Sequence, residues 1–234
     1  MLLAAGRGER MRPLTDHCPK PLLLAGGKPL IVWHIERLAA AGFTKLVINH
    51  AHLGAQLLDA LGNGAKWGVH IQWSPEPEGA LETAGGIAQA LPLLGSDAPF
   101  LVINSDIFCD WDVAKAPQIA AQLGNNSAHL AHLVLVPNPP QHPDGDFVLH
   151  GNAVKSEAEN EGENKHTFAG IGIYQPQLFA HVPRGSSAKL APLLRQTMQS
   201  AQVRGELHRG RWEDIGTPER LAQLDISLRK HEAA

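Results

Sequence analysis

The chain has only two cysteines, Cys18 and Cys109, and a single tyrosine among its 234 residues. The cysteines have no metal-ligand spacing and form no C-x-x-C, which argues against a disulfide scaffold or a structural zinc site and fits a reducing compartment. No run of 18 apolar residues occurs, and the opening residues 1–6 are too short for a signal-peptide core before charge begins. A cytoplasmic protein with no membrane partner is expected. An excess of one charge sign is missing too: the formal net charge is −3, so no basic surface offers itself and no nucleic-acid partner is expected. The 13 histidines show no H-E-x-x-H spacing, and there is no G-x-S-x-G, so zinc and hydrolase readings find no support. His50 and His52 read as polar loop residues after a strand.

What is present concentrates at the start, Met1 to Leu22. A short apolar strand runs into Gly6 and Gly8, where a backbone without Cβ can approach a ligand closely. Successive N–H groups in such a turn form an anion-binding concavity, and Arg7, Arg10, Arg12 and Lys20 add positive charge within the same span. Neither common phosphate fingerprint fits. Met11 stands where G-x-G-x-x-G needs glycine, and Gly27-Lys28 is followed by Pro29 rather than Ser or Thr.

Hydrophobic periodicity then predicts alternating helices and strands. Helices are expected at Leu30–Ala41, around Gly54–Leu61, from about Gly86 to Leu94, at Val113–Leu123, at roughly Ala188–Ser200 and at Pro218–His231. Strands are expected at Lys45–Asn49, Val69–Trp73, Phe100–Asn104, His129–Val136 and Phe168–Tyr174. This alternation is the pattern of a three-layer α/β/α, Rossmann-like fold, a mostly parallel sheet with helices on both faces. Ligands in such sheets bind beyond the carboxyl ends of the strands, where both the glycine loop and Asp106 fall. Residues 137–146 read as loop, and 156–165, with Glu157, Glu159, Glu161 and Glu163, as an exposed acidic hairpin tip. The small residues of Phe168–Tyr174 suggest that something packs close to that backbone.

Ala5–Thr15 (A-G-x-G-x-R-M-x-P-L-T) followed by Pro19–Leu22 (P-K-P-L) resembles the signature of the sugar-1-phosphate nucleotidyltransferases, and the likeness extends over nearly the whole chain through LETAGGI, NSD, FAGIGIY and WEDIGTPER. It implies the nucleotide-diphospho-sugar transferase type of fold in one domain, residues 1–234, without the C-terminal β-helix some members carry. It implies an enzyme that transfers UMP from UTP to a sugar 1-phosphate, N-acetylmuramate 1-phosphate being the substrate expected in bacterial cell-wall sugar recycling. Guanylyl or thymidylyl transfer to a hexose 1-phosphate is the alternative, and a non-catalytic nucleotide-sugar sensor of the same fold the other. A monomer or small homo-oligomer is expected.

Such a reaction brings two polyanions together, so the protein must supply cations, positioning and a divalent metal rather than a nucleophile. Mg²⁺ is commonly held by one or two carboxylates plus substrate phosphates. By resemblance, Asp106 and Asp214 hold that metal, with Ser105 standing where glycine is usual, while Arg10 and Lys20 bind the triphosphate and offset developing charge. Ala5, Gly6, Gly8, Leu81, Thr83 and Gly85 resemble the nucleotide-binding positions, Thr83 doubling as a helix cap. Ala169, Gly170 and Lys189 resemble the sugar-phosphate side, with Gly172 adding room.

Overall fold

The structure, a computed structural model, describes residues 1–77, 79–95, 97–125, 128–158 and 162–232. Its strands are β1 (Leu2–Leu3), β2 (Leu24–Ala25), β3 (Lys28–Pro29), β4 (Lys45–His50), β5 (His70–Pro75), β6 (Phe100–Asn104), β7 (Ile107–Cys109), β8 (Ala131–Val136), β9 (Phe147–His150), β10 (Ala153–Lys155), β11 (Lys165–Tyr174), β12 (Val203–Leu207) and β13 (Trp212–Asp214). Its helices are α1 (Leu30–Ala40), α2 (Gly54–Leu61), α3 (Glu82–Leu94), α4 (Ala116–Asn125), α5 (Leu190–Gln199) and α6 (Pro218–Glu232). None of the described helices is long and apolar enough to cross a membrane. The chain divides into two compact units: unit 1 comprises Met1–Leu81, Asn104–Ala114 and the segment from Arg211 onward, and unit 2 comprises Glu82–Ile103 and Lys115–Gly210.

In unit 1, β1, β4 and β5 pair in parallel, Leu2 opposite Ile48 and Ile48 opposite Trp73. The parallel expectation holds here because each strand is reached through a crossover: α1 joins β3 to β4, and α2 joins β4 to β5. A core of Met11, Leu23, Ala25, Leu30, Ile215, Leu221, Leu224 and Leu228 packs α1 and α6 around the start of the chain. Burial of eight such side chains is what holds the glycine loop, which has little apolar surface of its own. Two short ribbons complete the unit, β2 with β3 and β7 with β13. The ribbon of β7 is gripped from α1, whose Arg37 guanidinium donates to the Cys109 and Trp111 carbonyls.

Unit 2 holds the order β6-β11-β8-β12-β10-β9. Here β11 runs antiparallel to β6, β8 and β9, and β12 is parallel to β8. The reversal comes from the hairpin of β9 and β10, which returns the chain without a crossover helix. The strands β9, β10 and β12 are absent from the sequence expectation, since three to five residues carry no period and all three also need remote partners, β11, β12 and β8. Glu157 pairs with Lys165 at 2.8 Å; residues 159–161 of the expected acidic tip lie outside the described residues.

Three local expectations change. The helix α3 begins at Glu82 rather than near Gly86, so Thr83 sits inside its first turn and is not its cap. Ala84 and Gly85 N–H both donate to the Ala188 carbonyl, which anchors that turn despite two glycines. His50 is the last residue of β4, its ring edge-on to Trp73, rather than a loop residue. What packs on Gly172 of β11 is the strand's own Tyr174: a Cβ there would lie 2.2 Å from its phenol oxygen. Gly172 therefore makes room for a side chain two residues along on the same face, not for a ligand.

Candidate active site

The glycine loop leaves β1 and turns at Gly8, whose φ of 68° is disfavoured for any residue with a side chain. A Cβ there would also press on Thr15 Cγ2 at 3.1 Å and Lys20 Cβ at 3.3 Å. Thr15 closes the turn by donating its hydroxyl to Gly8 O at 2.9 Å. The four cations of the loop then part company. Arg7 donates to Thr15 O (2.7 Å) and pairs with Asp16 (3.2 Å), and Arg12 pairs with the same carboxylate at 2.7 Å. Arg12, first, and Arg7 hold the Asp16 carboxyl below its ordinary range. These two arginines staple the loop shut, leaving Arg10 and Lys20 to face the cavity.

That cavity, of about 260 Å³, is lined by Gly6, Gly8, Glu9, Arg10, Met11, Lys20, Asp106 and Gly216. Lys20 is only 7% exposed, and its ammonium sits 2.6 Å from Asp106 Oδ2. Asp214 reaches the same place from the far end of the chain. Pairing of β13 with β7 sets Asp214 opposite Ile107, and Ile215 N–H donates to Asp106 O at 3.0 Å, so the ribbon carries both acids at one end. A Cβ on Gly216 would lie 3.1 Å from both Arg10 Nη2 and Asp214 Oδ2, which places the loop arginine beside the second acid. The structure thus brings together Gly6, Gly8, Arg10, Lys20, Asp106 and Asp214.

Ser105, in the place of the family glycine, is 2% exposed and donates both its N–H (3.1 Å) and its hydroxyl (2.6 Å) to Leu3 O. The serine ties the Asp106 turn to the end of β1. Arg220 was missed from the sequence: its guanidinium pairs with Asp214 Oδ2 at 2.5 Å and donates to Asp214 O. A signal was available, because a cation in the first turn of a helix opposes the helix dipole and needs another reason to be there. Thr217 caps that helix, accepting from Arg220 N–H at 3.4 Å. Burial pushes the Cys109 thiol up to about 11, which leaves it protonated and unfit as a nucleophile.

A second, larger cavity of about 650 Å³ lies on the other side of the loop, lined by Ala5, Arg7, Glu9, Ala51, His52, Leu53, Gly79 and Ala80. Leu81 follows its wall, is buried, and donates its N–H to Glu76 Oε2 at 2.8 Å. The remaining candidates belong to unit 2. The N–H of Gly85 is taken by Ala188, which places the start of α3 against the residue before Lys189. Lys189 is exposed at the N-terminus of α5. Ala169 and Gly170 form a bulge where the register of β11 shifts between Phe168 and Ile171, with φ of 76° at Gly170.

Comparison with known proteins places the chain among relatives. The chain is 57% identical over 224 residues to N-acetylmuramate alpha-1-phosphate uridylyltransferase of Neisseria meningitidis, covering 95% of each chain. It is 33% identical over 240 residues to the protein of the same name from Caulobacter vibrioides, covering 100% of this chain and 97% of that one. The solved structure of HddC from Yersinia pseudotuberculosis superposes with a TM-score of 0.76 at 20% identity over 97% of both chains, a likeness of fold of the nucleotide-diphospho-sugar transferase type. With the nucleotidyl transferase profile matching residues 1–230, the chain belongs to the nucleotidyl transferase family.

Proposed function

We propose that the protein transfers UMP from UTP to N-acetylmuramate 1-phosphate, in the cytoplasm, giving UDP-N-acetylmuramate and pyrophosphate. The observation that carries the reaction is a glycine-floored cavity lined by Arg10, Lys20 and Asp106, with Asp214 brought beside its Gly216 wall from a third stretch of the chain. The substrate rests on the 57% identity to a uridylyltransferase of that name. A phosphate oxygen of the sugar 1-phosphate attacks the α-phosphorus, a new P–O bond forms, and the bond to the β-phosphate oxygen breaks. No proton relay and no protein nucleophile is needed.

The residues divide the work by chemistry. Gly6 and Gly8 let the backbone approach the phosphates, while Ala5 lines and Leu81 backs the larger cavity, which takes the nucleoside. Arg10, exposed and beside Asp214, meets the charge that develops on the α-phosphate, where a planar guanidinium binds two oxygens at once. Lys20 leaves Asp106 for the triphosphate. Asp106 and Asp214 are hard oxygen donors at one end of a rigid ribbon, a donor set that fits Mg²⁺. Bound there, the ion would screen the two polyanions from each other. In unit 2 we assign Thr83 and Gly85 to the nucleotide and Ala169, Gly170 and Lys189 to the sugar phosphate.

The test is to supply Mg²⁺, each of four nucleoside triphosphates and a panel of sugar 1-phosphates, and to measure pyrophosphate. The highest kcat/KM is expected for UTP with N-acetylmuramate 1-phosphate, above N-acetylglucosamine 1-phosphate, because a site that pairs the lactyl carboxylate is left unsatisfied without it. Equal use of the two sugars would overturn the substrate, and a preference for GTP with mannose 1-phosphate would replace it. Absence of pyrophosphate with every pair would overturn the reaction.

A further inference from the structure

One peptide group sits at the centre of unit 1, the one joining Leu3 to Ala4 at the end of β1. Its carbonyl accepts both donors of Ser105, next to Asp106. Its N–H donates to Asn49 Oδ1 at 2.7 Å, and Asn49 is 3% exposed near the end of β4. Asn49 Nδ2 in turn donates to Glu76 Oε1 at 2.6 Å, and the other oxygen of Glu76 accepts from Leu81 N–H at 2.8 Å. The chain of bonds from Ala4 through Asn49 and Glu76 to Leu81 therefore joins the glycine loop on one side of the larger cavity to the turn at residues 79–81 on the other.

The chemistry of this chain is directional. Glu76 accepts at both of its contacts, and Asn49 accepts at one end and donates at the other, so every polar atom is matched with no proton left to choose. Asn49 is buried and Glu76 half-buried, and hydrogen-bonded chains shielded from water polarise one another and are costly to leave half-satisfied. Glu76 is held further by its own N–H, which donates to His50 O at 2.9 Å. The turn it grips needs holding: Ala80 has φ of 56°, a left-handed backbone that residues with side chains keep only where their surroundings impose it. Neither side chain lines either cavity, so neither is placed to touch a reacting atom.

We propose that Asn49 and Glu76 are positioning residues that fix the spacing between the two walls of the nucleotide cavity and thereby set the affinity for the nucleoside triphosphate. The proposal rests on the nucleotide-binding reading of that cavity. Its signature is polarity rather than charge or bulk. In Glu76→Gln, any orientation of the new amide sets a donor against a donor, at Asn49, at Leu81 or, if Asn49 turns over, at Ala4. In Asn49→Asp, two carboxylate oxygens face each other. In the double variant all three bonds return. The new carboxylate at position 49 accepts from Ala4 N–H and from the new amide at position 76, and the oxygen of that amide accepts from Leu81 N–H, with the net charge of the pair unchanged.

The experiment measures UTP binding by calorimetry without sugar 1-phosphate, KM for both substrates, and the thermal midpoint of each variant. Each single substitution is expected to weaken UTP binding and raise its KM by about tenfold, the effect of one mismatched buried donor or acceptor. KM for the sugar 1-phosphate should stay within about twofold, and the double variant should return to within about threefold of the parent. A purely structural role would move the midpoint and leave the UTP constants alone. Single variants that bind UTP like the parent, or a double variant no better than the worse single, would overturn the proposal. If a single variant does not fold, the double decides: folding with near-parental UTP affinity supports the relay, and failure to fold or tenfold weaker binding, on the order of one lost buried hydrogen bond, overturns it. Parent protein that binds another triphosphate better than UTP would instead overturn the uridylyl reading, and the same cycle is then read with that nucleotide.

Discussion

In unit 1 the charged candidates cluster at one cavity and its edge, each acid already beside a cation: Lys20 with Asp106, Arg220 with Asp214. In unit 2 the candidates are a buried bulge at Ala169 and Gly170, a helix start tied down by Ala188, and one exposed lysine. The contrast matches two different demands. Stabilising charge that appears only in a transition state calls for fixed ions, whereas accepting a largely uncharged ring calls for shape and backbone. Substitutions of those charged side chains in unit 1 should therefore lower turnover, and substitutions of the candidates in unit 2 should alter the affinity for one substrate.

The strongest test of that division is the pair of acids. Asp106→Asn and Asp214→Asn are each expected to lower kcat on the order of 10³-fold with native circular dichroism, Asp106→Asn also lowering the thermal midpoint because it leaves the buried Lys20 ammonium without its partner, and excess EDTA should lower kcat of the parent likewise. Turnover that survives EDTA or either substitution would remove the metal assignment. Next comes Arg10→Ala, expected to cut kcat by about 10²–10³-fold with little change in the KM for UTP. Lys20→Ala should change both constants and also lower stability, because it leaves a partly buried carboxylate without its partner. A pure KM effect at Arg10 would make it a binding residue and blur the contrast between the units.

The interior of unit 1 gives a third prediction, of stability rather than rate. His34 is buried, its Nε2 2.8 Å from Ile107 O, and burial pushes its pKa down to about 4. Between that value and the ordinary one near 6.5 the unfolded chain binds a proton that the folded chain does not. Stability is therefore complete above about pH 6.5 and falls with acidification toward about pH 4, by up to about 3 kcal/mol. Denaturant titrations across that range should show this slope in the parent and a flatter one in His34→Gln, which keeps a donor for the Ile107 carbonyl. Parallel curves would reject it. The smallest effect is expected in unit 2: Gly170→Ala should raise KM for the sugar 1-phosphate about tenfold and cost about 1 kcal/mol, since its φ of 76° strains any Cβ. A change in the UTP constant instead would contradict the assignment of the bulge to the sugar side.

Much of this is legible in the sequence itself. The loop signature, Asp106 and Asp214 were readable because each sits in a contiguous motif at the end of a strand or before a capped helix, and the helices α1, α2 and α6 followed from periodicity and capping. The start of α3 was misplaced because Gly85-Gly86 looks like a break, and only the carbonyl of Ala188 keeps that turn helical. The short strands of unit 2 were invisible for a related reason: three to five residues carry no period of their own, and, the β9–β10 hairpin apart, the partners that stabilise them are distant in the chain.

By itself the sequence determined the strand-helix alternation, which depends on residue type and local spacing, and through its family resemblance it pointed to the reaction class and put forward Asp106 and Asp214 as the acids. The tertiary structure alone decided which cations serve the cavity. Arg7, Arg10 and Arg12 are equivalent as sequence, three arginines in one loop, yet Asp16 neutralises two of them and leaves the third beside Asp214. It also decided that Gly172 accommodates Tyr174 rather than a ligand, and that Asn49 and Glu76 bridge two loops. Ion pairs, close approaches and buried hydrogen bonds act over a few ångströms between residues dozens of positions apart in the chain, so only the folded chain assigns them.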